Sequence, residues 1–150
     1  MVLATGEQAP TVSAPNQDGR RVQIEGEEPT VVYFYPRDNT KGCTIEAQQF
    51  DAEYETYREA GVDVYGVSTD DVDAHERFAD QYDLGFDLLA DPEGDLAAAF
   101  DVPIDDGAAA RTTFVLAGGK VVAVYEGVRP DGHARDVLRD LAEAGIAALE

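Results

Sequence analysis

The chain has 150 residues but only one cysteine, one methionine, two lysines and no tryptophan. A lone Cys43 excludes an intramolecular disulfide, a Cys-x-x-Cys dithiol and any zinc site built on several cysteines. Positive charge is scarce: 11 Lys and Arg stand against 31 Asp and Glu, a formal net charge of −20. No basic stripe exists to neutralise phosphates or anionic lipid, so neither nucleic acid nor a membrane surface is expected as a partner. No run approaches the roughly 18 consecutive apolar residues of a membrane helix. Met1–Pro10 has neither a basic start nor a long apolar stretch, and does not read as a signal peptide. Phosphate-loop and dinucleotide glycine motifs are missing as well; Gly118-Gly119-Lys120 reads as a turn.

What remains is 44% apolar residues spread along the chain, enough for one domain over residues 1–150 with a real core. Its acidic surface repels itself in dilute salt. In about 1 M salt the Debye length falls to about 3 Å and the repulsion is largely screened. The acidity is therefore read as solvation for a salt-rich cytosol, which makes the expected location cytoplasmic and the expected source salt-adapted.

The pattern of elements alternates. Thr11–Ala14 and Arg21–Ile24 flank a turn at Asn16–Gly19 and read as a hairpin. Thr30–Tyr35 is a nearly continuous apolar run, the mark of a fully buried strand, stopped by Pro36. A helix follows from about Cys43 to Ala60, with Ala47, Phe50, Tyr54 and Tyr57 inward and Gly61 closing it. Strand 62–68, helix 73–82, strand 86–90 and a short helix 93–100 come next. A loop through Pro103 and Gly107 leads to a second hairpin, 112–117 with 121–125, turned by Gly118-Gly119. A last helix over about 131–149 buries Val137, Leu138, Leu141, Ala142, Ile146 and Leu149. This order predicts an α/β sandwich around a mixed sheet.

Cys43 falls where a buried strand's loop becomes a helix N-terminus. Backbone N–H groups there lack helical partners and carry partial positive charge, which favours thiolate over thiol. Without that context a lone cysteine is more often a small buried hydrophobe. Thr40 lies three residues earlier, placed to hydrogen-bond the sulfur or a bound oxygen. Pro36, seven earlier, fixes the loop and walls the sulfur from water.

The segment from Tyr33 to Glu46, YFYPRDNTKGCTIE, resembles the active-site loop of the peroxiredoxins, and within them the bacterioferritin-comigratory-protein or PrxQ branch. The resemblance continues through Gly66–Ser68, Phe86–Asp91 and Arg111–Val115, and covers most of the chain from about Gly6. It implies a thioredoxin-like fold and a thiol peroxidase. Cys43 matches the peroxidatic cysteine, Thr40 the residue bonded to the substrate oxygen, Arg111 the guanidinium beside the thiolate, and Pro36 the shield. Thiolate population alone gives little. Lowering a thiol's pKa from about 8.5 to about 6 gains about thirtyfold in thiolate at pH 7, about 2 kcal/mol or less. Donors aimed at the developing oxygen charge must supply the rest, the part assigned to Thr40 and Arg111.

Many relatives place a resolving cysteine five residues after the first; that position is Gln48, and no other cysteine exists. A one-cysteine cycle follows, in which an external thiol, thioredoxin-like, glutaredoxin-like or of low molecular weight, reduces the sulfenic acid. Hydrogen peroxide and small organic hydroperoxides are the expected substrates, and a monomer or weak dimer the expected state. The rival reading is a redox sensor or relay that exchanges disulfides with a partner protein.

Lesser candidates read as structural. His75 and His133 are expected on helix surfaces, since Ala79 breaks any His-Glu-x-x-His zinc motif. Asp70, Asp71, Asp73, Asp105 and Asp106 read as caps and solvated loop charge, Lys41 as solvated loop charge. Glu46 reads as stabilising the helix N-terminus. No metal or organic cofactor is implied.

Overall fold

Thr30–Phe34 (β3) is buried along its whole length and forms the middle of a five-stranded sheet. The computed structural model describes residues 2–145. Flanking β3 on one side are Asp63–Ser68 (β4) and Asp87–Ala90 (β5), both parallel to their neighbours. On the other side Thr112–Ala117 (β8) and Lys120–Glu126 (β9) run antiparallel. The order β5-β4-β3-β8-β9 is the mixed sheet of a thioredoxin-like fold. Val12–Pro15 (β1) and Arg21–Ile24 (β2) form the separate N-terminal hairpin.

Alternation along β3 divides the core in two. Val31 and Tyr33 face the layer made by Lys41–Glu59 (α1), Val72–Tyr82 (α2) and His133–Glu143 (α4). Val32 and Phe34 face the β1–β2 hairpin and the short helix Asp95–Ala99 (α3). Tyr33 stacks on Phe50 of α1 at 4.5 Å between ring centroids. Burial of rings of this size contributes about 1.5–3 kcal/mol each, which seats α1 firmly on the sheet. Gly66 makes room for the same tyrosine: a Cβ there would stand 2.9 Å from the Tyr33 ring and hydroxyl.

Several boundaries differ from the sequence reading. α1 begins at Lys41 rather than Cys43, because Thr40 is its N-cap. Asp71 caps α2 by accepting from the Ala74 N–H at 2.8 Å. Gly132, with φ +85°, starts α4 at His133; the expected burial of Ile146 and Leu149 lies outside the described residues. The stretch read as loop contains a small hairpin, Ile104–Asp105 (β6) with Ala108–Ala109 (β7), turned by Asp106-Gly107. The glycine turn at Gly118-Gly119 has positive φ at both positions, as a two-residue hairpin requires.

Both histidines are buried, contrary to the expectation of surface positions. On α2, His75 shares the i, i+3, i+4, i+7 stripe of Phe78, Ala79 and Tyr82, so the helix turns it inward with them. His133 opens α4 next to buried Ala134, is packed between Phe50 and Tyr125, and meets Thr113 Oγ1 with its Nε2 at 2.8 Å.

Candidate active site

Antiparallel pairing of β3 with β8 builds the site. Phe34 stands opposite Thr112, so the loop leaving β3 and Arg111, just before β8, arrive at one end of the sheet. There Arg111 Nη2 lies 3.4 Å from Cys43 Sγ, although the residues are 68 positions apart.

Cys43 occupies the first turn of α1 and is 1% exposed. Its N–H points to Thr40 Oγ1 at 3.4 Å, and that hydroxyl is also 3.4 Å from the Arg37 carbonyl oxygen. Thr40 is thus the cap of the helix and is itself exposed. Pro36 is half-buried at the end of β3. Guanidinium and helix N-terminus together surround the sulfur with positive charge.

Glu46 does not serve the helix end, as the sequence suggested. It lies in the second turn, wholly buried, and its Oε1 accepts from Arg111 Nη1 at 2.7 Å. Burial pushes its carboxyl up to about 7, against the pull of Arg111. Burial opposes the charge on Arg111 too, but Glu46 and Cys43 outweigh it and hold the guanidinium above its ordinary value. Glu46 Oε2 and the Tyr33 hydroxyl are buried polar atoms with no hydrogen-bond partner among the described residues. Burial, with Glu46 and Cys43 adding to it, keeps the Tyr33 phenol well above its usual range and therefore neutral.

One further residue shapes the site without having been singled out. A Cβ on Gly42 would stand 3.2 Å from Arg111 Nη2 and 3.4 Å from Pro130 Cγ, so its missing side chain is where the guanidinium passes. Lys41, by contrast, is exposed, and so is Gln48 on the outer face of α1. Of the acidic run, Asp70 accepts from the Asp38 N–H and Ser68 Oγ instead of lying free in solvent. Ligand atoms of Asp38, Asp70 and His75 lie within 4.8 Å of one another, but each is already engaged in hydrogen bonds of the protein.

Residues 5–124 match the model of the AhpC/TSA family. The chain is 37% identical over 145 residues to the chloroplastic peroxiredoxin Q of Oryza sativa subsp. japonica, covering 93% of this chain and 67% of that one. Peroxidoxin BcpB from Mycobacterium tuberculosis superimposes with a TM-score of 0.87 at 31% identity, over 94% of this chain and 97% of that one. The bacterioferritin comigratory protein of Xanthomonas campestris gives 0.87 at 30% identity, over 95% and 99%. A cysteine under a guanidinium at a helix N-terminus is thus found in a chain that matches these proteins over 93–95% of its own length. It belongs to the AhpC/TSA family, as a peroxiredoxin of the bacterioferritin-comigratory-protein or Q type, and is a thiol peroxidase.

Proposed function

We propose that the protein reduces hydrogen peroxide and small organic hydroperoxides by a one-cysteine cycle on Cys43. The observation that carries this reading is the 3.4 Å approach of Arg111 to the sulfur of the only cysteine in the chain. The Cys43 thiolate attacks one peroxide oxygen; an S–O bond forms as the O–O bond breaks. Sulfur is oxidised to sulfenic acid, and the departing oxygen takes a proton to leave as water or an alcohol. Arg111 faces the negative charge that builds on those oxygens. Both Thr40 hydroxyl contacts are long, at 3.4 Å, so turning that hydroxyl toward a bound oxygen forfeits little. Pro36 shields the intermediate from water.

An external thiol then attacks the sulfenic sulfur, water leaves, and a mixed disulfide forms. A second thiol releases reduced Cys43 and a disulfide of the reductant. The reductant is thioredoxin-like, glutaredoxin-like or a low-molecular-weight thiol, because nothing in the chain replaces a resolving cysteine at Gln48. Alkyl peroxide reduction by the Xanthomonas relative supports the organic substrates. The length of 150 residues supports a single domain, and the charge of −20 a monomer or weak dimer in a salt-rich cytoplasm.

The test is stopped-flow oxidation by one equivalent of hydrogen peroxide, with intact mass and thiol count, against Cys43→Ser. Sulfenic acid forming orders of magnitude faster than from a free thiol is the expected result. A rate equal to that of a free thiol overturns the reading and moves a partner-exchange role to first place.

A further inference from the structure

Arg111 brings one positive charge to two acids. Its Nη1 donates to Glu46 Oε1 at 2.7 Å and its Nη2 to Cys43 Sγ at 3.4 Å. Both acids are buried, Cys43 at 1% exposed and Glu46 at 0%. The other titratable groups packed beside this trio add no charge. From β3 comes the Tyr33 phenol, which burial holds well above its usual range. From α4 comes His133, whose imidazole burial lowers to about 4. Lys41, on the same helix as the two acids, is exposed to solvent. The N-terminus of α1 favours charge on the sulfur, in its first turn, over charge on the carboxyl one turn further on.

Two anions that share a dry site and a single cation resist ionising together, so one of the two keeps a proton. Cys43 is the one that must be ionised to attack. Glu46 is left to hold the proton, and its own bonding agrees. Oε1 receives the guanidinium, whereas Oε2 faces no donor among the described residues. A buried oxygen without a donor is costly on an ionised carboxylate and far less so on a neutral carboxyl. Burial pushes this carboxyl up to about 7 against the pull of Arg111, and a thiolate on the other side of the guanidinium raises it further.

Oxidation removes one of the two anions. The thiolate sulfur bonds to oxygen and becomes a neutral sulfenic acid, and the negative charge leaves on the departing oxygen. We propose that Glu46 is the proton store of the site: it holds a proton while Cys43 is a thiolate and releases it as the sulfenic acid forms, so that the protein itself balances the proton taken by the departing oxygen. Thiolate, carboxyl and hydroperoxide then give sulfenic acid, carboxylate and water or an alcohol. An incoming thiol displaces water from the sulfenic sulfur with no change of charge. A second thiol forms the reductant's disulfide, frees the Cys43 thiolate and leaves its proton to Glu46, which restores the starting state. Glu46 acts through Arg111 and not on the peroxide, so it is a positioning residue. The proposal rests on the peroxidase reading of Cys43.

The test is made at about pH 8, where Glu46 facing Arg111 alone, at about 7, is largely ionised. Ultraviolet absorbance gives the thiolate fraction. A pH indicator in weak buffer then counts the protons taken up as one equivalent of hydrogen peroxide is consumed. The parent is expected to take up close to none per thiolate oxidised, and Glu46→Gln close to one. In infrared difference spectra, oxidised minus reduced, the carbonyl stretch of a protonated carboxyl is expected to vanish in the parent. Glu46→Gln and Cys43→Ser are expected to show no such change. An uptake near one in the parent, or a carboxyl band that oxidation leaves in place, overturns the proposal and leaves the peroxidase reading standing. So does an uptake near zero in parent and Glu46→Gln alike, which means that the sulfenic acid has shed the proton itself. Should Glu46→Gln not fold, the parent's proton count and band, against Cys43→Ser, decide. If the parent oxidises no faster than a free thiol, the peroxidase reading fails, and the band read after complete oxidation still decides whether Glu46 follows the charge on Cys43.

Discussion

Glu46 accepts a 2.7 Å hydrogen bond from Arg111 through one buried oxygen and leaves the other without a partner among the described residues. That half-satisfied carboxylate has a consequence for stability. Its carboxyl is raised to about 7 by burial, so between pH 4.5 and 7 the folded protein holds a proton that the unfolded chain has lost. Stability from this group is full below pH 4.5 and falls as pH rises to about 7. Burial lowers His133 from 6.5 to about 4, with the opposite sign: its contribution is full above pH 6.5 and is lost as pH falls toward 4.

The two windows overlap and the two contributions run in opposite directions with pH, so they work against one another in the parent protein. Glu46→Gln removes one side of the balance. Urea unfolding of this variant is expected to show stability rising from pH 4 to 7 more steeply than the parent. His133→Gln is expected to tilt the curve the other way. Parallel curves for parent and variants would mean that these groups titrate alike in the folded and unfolded chains.

Arg111 stands beside both the sulfur and Glu46, and its two nitrogens divide the tasks. Arg111→Ala is expected to slow peroxide oxidation of Cys43 by about 10²–10³-fold, the usual loss for a donor to developing oxygen charge. The thiolate fraction, read by ultraviolet absorbance against pH, is expected to change far less. Equal losses would mean that Arg111 acts only by favouring thiolate.

Gly42 tests the space that the guanidinium occupies. Gly42→Ala improves helix propensity by about 1 kcal/mol but places a methyl 3.2 Å from Arg111 Nη2. Thermal stability is expected to hold or rise while oxidation slows about tenfold, since an ångström of misplacement at a reacting group carries costs up to 10²-fold. An unchanged rate would show that Arg111 and Pro130 yield without consequence.

Net charge supplies a fourth expectation. Because −20 goes unscreened in dilute salt, Tm is expected to climb from low to molar salt and to level off once the Debye length nears 3 Å. A Tm flat from low to multi-molar salt would remove the salt-rich-cytosol reading.

The strands, helices and turns that depend on near neighbours were readable because their causes are local. Thr30–Phe34 is a nearly continuous apolar run, Asp71 caps α2, and Gly118-Gly119, without side chains, suits a two-residue turn with positive φ at both positions. The small β6–β7 hairpin escaped notice because two-residue strands give no periodicity, although its Asp106-Gly107 turn was a signal. Inward placement of His75 could have been read from its spacing to Phe78, Ala79 and Tyr82, had residue type not been given more weight than position.

By itself, the sequence determined the order of elements, the place of Cys43 where a strand's loop becomes a helix, and the absence of any second thiol, since these need only residues close together or a count. Only the tertiary structure decided that Arg111 reaches the sulfur across 68 positions, that Glu46 turns to that arginine, and that Gly42 leaves it room. Those contacts are made by the antiparallel register of β3 with β8, which sets distant residues at one sheet end. The Asp38–His75 pair is of the same kind: 37 positions separate its members, and only the packing of α2 against the sheet brings them to 2.6 Å.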